Sequence, residues 1–369
     1  MGSVEFVVPK DFEIKSAQRT YPVEFSTSVD GVVEKLKKIK NPVFLIDPNV
    51  RKLYSKQFDS LLAANPTLEV EALEDSKTFE GIGKVIHWFS EHKCTKANHV
   101  VAIGGGIIQD IATFSTSIFF RGLPWTLVPT TLLSMSDSCI GAKCGINLKN
   151  FKNQLGVFNS PYAVLISPAF LHTLSYNDVK SGYGEILKLY LTESFEKFLE
   201  LEKELNEAGS LVSPLTGKHI GESLLVKKKV IEEDEYEAYL RMILNYGHTF
   251  GHALEAETQH FVPHGLAVAW GIDFVNFISQ KNGWLQMEKS KKVHDFIKKH
   301  LSFQNSKQVS TEGMMSASRR DKKMTSGTEV NMVYFTDKNK LEIIKTKLDE
   351  SFKANLDEYL KQKDVFRSN

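Results

Sequence analysis

Between Leu240 and Gly265 an otherwise apolar stretch gathers Arg241, Asn245, His248, His252 and His264. His248 and His252 are four residues apart. On a helix both imidazoles would share one face, a turn apart, as two ligands of one metal ion or two donors to one oxyanion require. His264 follows a predicted turn and can fold back toward them. Spacing alone leaves a metal site and an oxyanion site both open.

A second concentration of chemistry lies upstream. Gly104, Gly105 and Gly106 follow the apolar run Asn98 to Ile103 and open a helical pattern. There, uncapped N–H groups and the helix dipole favour a phosphate. Ile107, Ile108 and Gln109 come next, so this is not the GxGxxG fingerprint, and a tight turn without ligand is the competing reading. Asp47, Pro48 and Asn49 end another predicted strand, the position from which a carboxylate commonly reaches a ribose hydroxyl, and Thr130 and Thr131 end a third. Three strand ends at one edge describe a dinucleotide crevice.

Residues 137–143 and 149–153 alternate small, charged and amide side chains without an amphipathic period, the pattern of a binding loop. Its lysines and Asn153 suit a phosphate or carboxylate; a solvated basic loop is the plainer alternative. Glu185 and Lys188, three apart on a predicted helix, would ordinarily be a surface ion pair.

The elements that must position these residues alternate at first. Asn41 to Asp47 reads as a strand, Val50 to Ala64 as a helix, Leu68 to Leu73 as a short apolar run, Phe79 to Glu91 as a helix, and Asn98 to Ile103 and Pro124 to Pro129 as strands. Alternation of this kind predicts a parallel, doubly wound α/β sheet. From about Ser175 long helical segments take over, interrupted by strand candidates at Val330 to Phe335 and Leu341 to Ile344, which predicts a second, mainly helical domain. Glu207 to Pro214 reads as a loop between helices.

Composition narrows the function classes. With 369 residues, 42% of them hydrophobic, two domain cores are expected. The balance of 46 basic against 45 acidic residues argues against a dedicated nucleic-acid surface, leaving Lys227, Lys228 and Lys229 as a weak local patch. Cys94, Cys139 and Cys144 form no CxxC spacing, so buried reduced thiols are expected. The first ten residues carry no secretory pattern and no run reaches transmembrane length, which makes the cytoplasm the expected compartment and excludes a membrane partner.

Taken in order, Ile103 to Gly106 with Asp110, Phe120-Arg121-Gly122, Val128 to Leu133, Asp137 to Lys143, Gly184-Glu185 to Lys188, and Asn245 to Gly265 resemble the sugar phosphate cyclases over nearly the whole chain. Within that family they are most like the 3-dehydroquinate synthases. The resemblance implies a Rossmann-like α/β NAD-binding domain over residues 1–174, a mainly helical metal- and substrate-binding domain over residues 175–369, and a site in the cleft between them. It places Asp47, Asn49, Glu74, Lys77, Gly105, Gly106, Ile107, Asp110, Thr130, Thr131, Lys152 and Thr173 at NAD. A divalent metal, normally zinc with cobalt as the alternative, would sit on Glu185, His248 and His264, a set that leaves a coordination position open. His252 thereby moves from metal to substrate, joined by Asp137, Lys143, Asn153, Lys188, Lys227, Arg241 and Asn245. Lys322 or Lys323 supplies one more cation, assigned to Lys323. Arg121 would reach the neighbouring site of a homodimer, and His260 matches no functional position.

The implied reaction is redox neutral. A ring hydroxyl of a heptulosonate 7-phosphate is oxidised by NAD, phosphate leaves by β-elimination, NADH returns the hydride, the ring opens, and an aldol step closes 3-dehydroquinate. Arg241, Asn245 and His252 keep the pattern that goes with a carboxylated substrate. Leu266, Gln109 and the stretches 76–80 and 148–155 depart from it, which keeps sedoheptulose 7-phosphate or another sugar phosphate as an alternative. The related metal- and NAD-dependent polyol dehydrogenases are disfavoured by the lysines of residues 143–153, since a plain alcohol gives such cations nothing to bind.

Overall fold

The computed structural model describes residues 4–148, 151–305, 307–319, 324–326 and 329–362. Lys149, Asn150, Lys322 and Lys323 lie outside the described residues, and with them the cation expected at Lys323. The chain forms two compact units, Met1–Ser175 with Val212–Tyr236, and Tyr176–Leu211 with Glu237–Asn369.

In the first unit, β1 (Phe12–Lys15), β2 (Thr20–Phe25), β3 (Pro42–Ile46), β4 (Thr67–Glu69), β5 (His99–Gly104), β6 (Trp125–Pro129) and β9 (Ala163–Ile166) form one sheet in the order β1-β2-β9-β6-β5-β3-β4. All neighbours are parallel except β1 and β2. Val43 to Ile46, Val100 to Ile103 and Trp125 to Val128 are buried without a break, as strands covered on both faces must be. The helices of this unit are α1 (Val29–Leu36), α2 (Pro48–Leu53), α3 (Ser55–Ala63), α4 (Phe79–Glu91), α5 (Gly106–Ile118) and α8 (Thr216–Glu233). Because β3, β5 and β6 are parallel neighbours, their carboxyl ends lie side by side, joined by Asp47 N to Ile103 O and Thr130 N to Gly104 O, each at 3.0 Å. The expected convergence of three strand ends is therefore present.

Three expectations need correction. The helical run Val50 to Ala64 is broken at Tyr54, whose backbone leaves helical geometry while its hydroxyl meets Thr173 Oγ1 at 2.9 Å. The apolar run Leu68 to Leu73 supplies only the three-residue β4. The described residues of 137–143 and 149–153 do not lie in an irregular loop. A π-helical turn over Ser134–Ser138 leads into an antiparallel hairpin of β7 (Lys143–Leu148) and β8 (Phe151–Phe158), and burial on β7 falls on Cys144, Ile146 and Asn147 amid polar residues that hide the strand in the sequence.

A single boundary after residue 174 also misses the return of α8 to the first unit. Gly217 and Gly221 let that helix close on the N-terminal segment: a Cβ on Gly217 would stand 2.0 Å from the Val7 carbonyl oxygen.

The second unit comprises α6 (Tyr176–Glu193), α7 (Phe195–Ala208), α9 (His248–Glu257), α10 (His264–Lys281), α11 (Met287–His300), α12 (Thr311–Arg319) and α13 (Glu350–Gln362). They are accompanied by an antiparallel sheet of β10 (Met324–Ser326), β11 (Glu329–Thr336) and β12 (Lys340–Lys347). Helix α10 is buried continuously from Gly265 to Asn276, the pattern of a central helix. Among the described residues no helix is long and apolar enough to cross a membrane.

Buried Asp273 of α10 accepts from His294 Nδ1 of α11 at 2.9 Å and from the Tyr359 hydroxyl of α13 at 2.5 Å. The bond to Asp273, against the opposing effect of burial, raises the pKa of His294; Asp295 adds to the rise and Lys298 opposes it. A raised histidine contributes fully below its unfolded value of 6.5 and loses that contribution as pH climbs through the folded value. The gap in melting temperature between the protein and its His294→Gln variant is therefore expected to narrow between about pH 6 and pH 9. Thermal melts across that range check it, and a constant gap would contradict it.

Candidate active site

The apolar histidine segment is not one helix. Residues Leu240–Asn245 form a 3-10 turn, and α9 starts only at His248, because Gly247 takes a left-handed φ of 76°. A Cβ on Gly247 would also stand 2.6 Å from the Val268 carbonyl oxygen. From His248 onward the four-residue spacing acts as expected and brings the His248 and His252 rings to 5.4 Å. His264, first residue of α10 after Pro263, brings its ring to 5.4 Å from His248 and 5.7 Å from His252. His260 is exposed.

Glu185 reaches this group from α6. Two glycines permit it: a Cβ on Gly184 would stand 1.9 Å from the Gly265 carbonyl oxygen, and one on Gly265 would stand 1.7 Å from that of Ser181. The backbones of α6 and α10 thus touch directly beside Glu185 and His264. Glu185 Oε1 lies 3.1 Å from His264 Nε2 and 3.5 Å from His248 Nε2, while Oε2 meets Lys188 Nζ at 2.5 Å. The pair expected to be an ordinary surface contact is almost wholly buried.

The far ring nitrogens are held as well. His264 Nδ1 is 2.9 Å from buried Glu255 Oε2, and His248 Nδ1 is 3.1 Å from the Tyr246 carbonyl oxygen. With Nδ1 engaged on both rings, Nε2 is the atom each presents to Glu185, the arrangement that orients metal-binding histidines. Burial works to raise the Glu185 pKa, yet Lys188 and His264 hold it far below the usual range. Burial works against a charged His264 too, and is outweighed by Glu255 and Glu185. Glu185 thus calls for positive charge where the Nε2 atoms meet, and no hydrogen bond of normal geometry reaches either of its buried oxygens. A divalent cation fits these donors. The ligating atoms of His248, His252 and His264 also lie within 4.8 Å of one another, so two ligand sets share His248 and His264.

Glu255 and Glu237 were not foreseen. Glu255 stands seven residues after His248 and three after His252, a spacing that puts it on their face. Glu237, in a left-handed conformation, accepts from Asn245 Nδ2 at 2.6 Å. Arg241 is buried in the same unit.

In the first unit the α5 N-terminus has the features that favour an anion. Gly105 caps it without a side chain, leaving the first turn uncapped, and a Cβ there would stand 2.9 Å from Thr131 Cγ2. Ile107 follows in that first turn. Lys77 Nζ pairs with Asp110 at 2.7 Å, both groups largely withdrawn from solvent. Glu74 lies beside them, accepting from Asn147 at 2.8 Å and facing Lys152 at 3.6 Å. Asn147 in turn accepts from the Asn153 N–H at 3.0 Å. Asp47 caps α2 through the Asn49 N–H at 2.8 Å, with burial pushing its pKa up. Asp137 and Lys227 form a pair at 2.8 Å, Lys143 is half-buried on β7, and Arg121 is exposed on a turn where Phe120, Arg121 and Gly122 all have positive φ.

The family model of the 3-dehydroquinate synthase N-terminal part matches residues 67–181, and that of the C-terminal part matches residues 182–324. A 3-dehydroquinate synthase of Dictyoglomus turgidum is 34% identical over 325 residues, 86% of this chain and 90% of that protein. The structure of 2-epi-5-epi-valiolone synthase from Streptomyces hygroscopicus subsp. jinggangensis 5008, with NAD+ and Zn2+ bound, shares the fold with a TM-score of 0.82 at 23% identity, over 93% of this chain and 97% of that one. That of 2-deoxy-scyllo-inosose synthase complexed with carbaglucose-6-phosphate, NAD+ and Co2+ gives 0.80 at 20% identity, over 95% and 99%.

Proposed function

Since the chain belongs to the 3-dehydroquinate synthase family, we propose that it converts a heptulosonate 7-phosphate to 3-dehydroquinate with loss of phosphate. The observation that carries this is the meeting of Glu185 Oε1 with Nε2 of His248 and His264, each ring fixed from behind. Glu185, His248 and His264 would hold a zinc or cobalt ion, with His252 left to the substrate. NAD would lie against Asp47, Asn49, Glu74, Lys77, Gly105, Gly106, Ile107, Asp110, Thr130, Thr131, Lys152 and Thr173. When bound, NAD would supply a reversible hydride acceptor and the metal would polarise the oxygen of the hydroxyl whose carbon is oxidised.

The chain's own groups do the rest. Arg241 offers the substrate carboxylate a two-pronged donor that a lysine would not. Lys143, Asn153 and Lys227 are the donors for phosphate oxygens, whose charge grows as phosphate departs. Lys188 keeps Glu185 ionised. Asn245 sets the Glu237 carboxylate. The active form is a homodimer, with Arg121 extended from its exposed turn to the partner's site. Buried free thiols at Cys94, Cys139 and Cys144 accord with a reducing cytoplasm.

The test is phosphate release and carbocycle formation from the heptulosonate phosphate by metal-loaded protein with NAD; no release would sink the assignment. Sedoheptulose 7-phosphate and glucose 6-phosphate form the comparison arms, and steady NADH accumulation with a simple polyol would mark a dehydrogenase instead. Arg241→Ala is expected to lower kcat/KM for the carboxylated substrate on the order of a hundredfold. Thermal melts of the same variant should show a much smaller effect on folding, and equal damage to both would remove the role given to Arg241.

A further inference from the structure

Gln109 closes the first turn of α5, and its side chain is buried. Its amide forms a ring with a single residue: Nε2 donates to the Ser138 carbonyl oxygen at 2.7 Å, and Oε1 accepts from Ser138 Oγ at 2.9 Å. The preceding carbonyl of the same turn, that of Asp137, accepts from Lys227 Nζ at 2.7 Å, and Lys227 also meets Asp137 Oδ1 at 2.8 Å. Two consecutive carbonyls of the π-helical turn are thus tied by side chains of two different helices, α5 and α8. Ser138 Oγ also lies 3.9 Å from where a Cβ on Gly106 would stand, so the clamp sits directly beside the anion-binding turn.

We propose that Gln109 is a positioning residue for the sugar phosphate. It fixes the Asp137–Ser138 peptide against the first turn of α5 and thereby fixes where the Lys227 ammonium stands relative to Gly106. The proposal rests on the cyclase reading above. An apolar side chain would fill the same volume, but only a group with both a donor and an acceptor can close the ring on Ser138. Helix α5 keeps its own bond from Gln109 N to Gly105 O at 3.0 Å whatever the side chain. Loss of the clamp therefore frees the Asp137 turn and leaves the dinucleotide turn in place.

Gln109→Leu keeps the bulk and removes both bonds. In the full chain loaded with NAD and zinc, kcat/KM for the heptulosonate phosphate should fall about tenfold, chiefly through KM. NAD affinity, measured by titration calorimetry, should change less than about twofold. In a Lys227→Ala background the same substitution should cost nothing further, because its effect passes through Lys227; additive losses overturn the proposal. Hydrogen exchange supplies a readout free of turnover. Gln109→Leu should speed exchange in the peptide spanning residues 134–141 and leave that spanning residues 110–118 unchanged, and unaltered exchange in both overturns it as well. If the unsubstituted protein releases no phosphate, the cyclase reading fails and the exchange measurement still decides on Gln109.

Discussion

Glu185→Gln is expected to leave the protein folded and to lower kcat/KM by roughly a thousandfold or more, the several kcal/mol that polarisation by a bound metal contributes. The isosteric change removes the charge that brings the Nε2 atoms of His248 and His264 into use, while the volume in α6 is preserved. Metal content after dialysis, read by elemental analysis, should drop well below one ion per chain. Glu185→Ala is a poorer probe, because it leaves the buried Lys188 ammonium without its partner at about 3–5 kcal/mol of stability. Pairing that change with Lys188→Met removes the uncompensated charge, and the melting temperature should recover in part. If Glu185→Gln keeps a full complement of metal while His252→Ala loses it, the ion belongs on the three histidines and the assignment of Glu185 is wrong.

Gly184→Ala should be among the most damaging single methyls in the second unit, with Gly265→Ala alongside it. The added Cβ would meet the Gly265 carbonyl oxygen at 1.9 Å, and that atom is backbone, unable to turn aside. Either α6 and α10 separate or the substitution is not accommodated. A cost of about 3 kcal/mol or more is expected, at the upper end for overpacking, which corresponds to a melting temperature lower by roughly 6–12 °C. Separation also withdraws Glu185 from His264, so metal affinity should fall with stability. The control is Gly83→Ala in α4, which has nothing within 4 Å of a Cβ and should gain stability from helix propensity. Equal melting temperatures for the two variants would show that the glycine contact is not what joins the helices.

What was legible in the chain follows from how local the signals are. The strands at residues 42–46, 99–104 and 125–129 are runs of buried apolar residues bounded by Gly and Pro. Helix α4 ends where its pattern ends, because Thr78 caps it and Ile82, Val85 and Phe89 keep one face apolar. By contrast β1, β2 and β9 went unseen, since they are four to six residues long and gain their burial from neighbours distant in sequence. The β7–β8 hairpin was masked by its lysines and amides. At the site, His248, His264 and Glu185 were assigned through family resemblance, while spacing alone suggested His248 with His252. Glu255 and Glu237 stayed hidden because an acid on a helix or turn looks like solvated surface until its partner is known. The departure of α8 from its sequence neighbours depends on two glycines meeting the N-terminal segment, a contact no local pattern encodes.

The excursion of Val212–Tyr236 into the first unit bears on the order in which the chain matures. Glu185 and His264 are separated by 79 residues, and closing a free loop of that length costs about 4 kcal/mol of chain entropy. Once the first unit has captured α8, that closure is divided into two shorter ones, each starting from an anchored end. During synthesis Glu185 and Lys188 emerge long before the histidines that complete their cluster. The cluster of Glu185, His248 and His264 is thus assembled late, and a nascent chain ending before His264 would hold two of its three members.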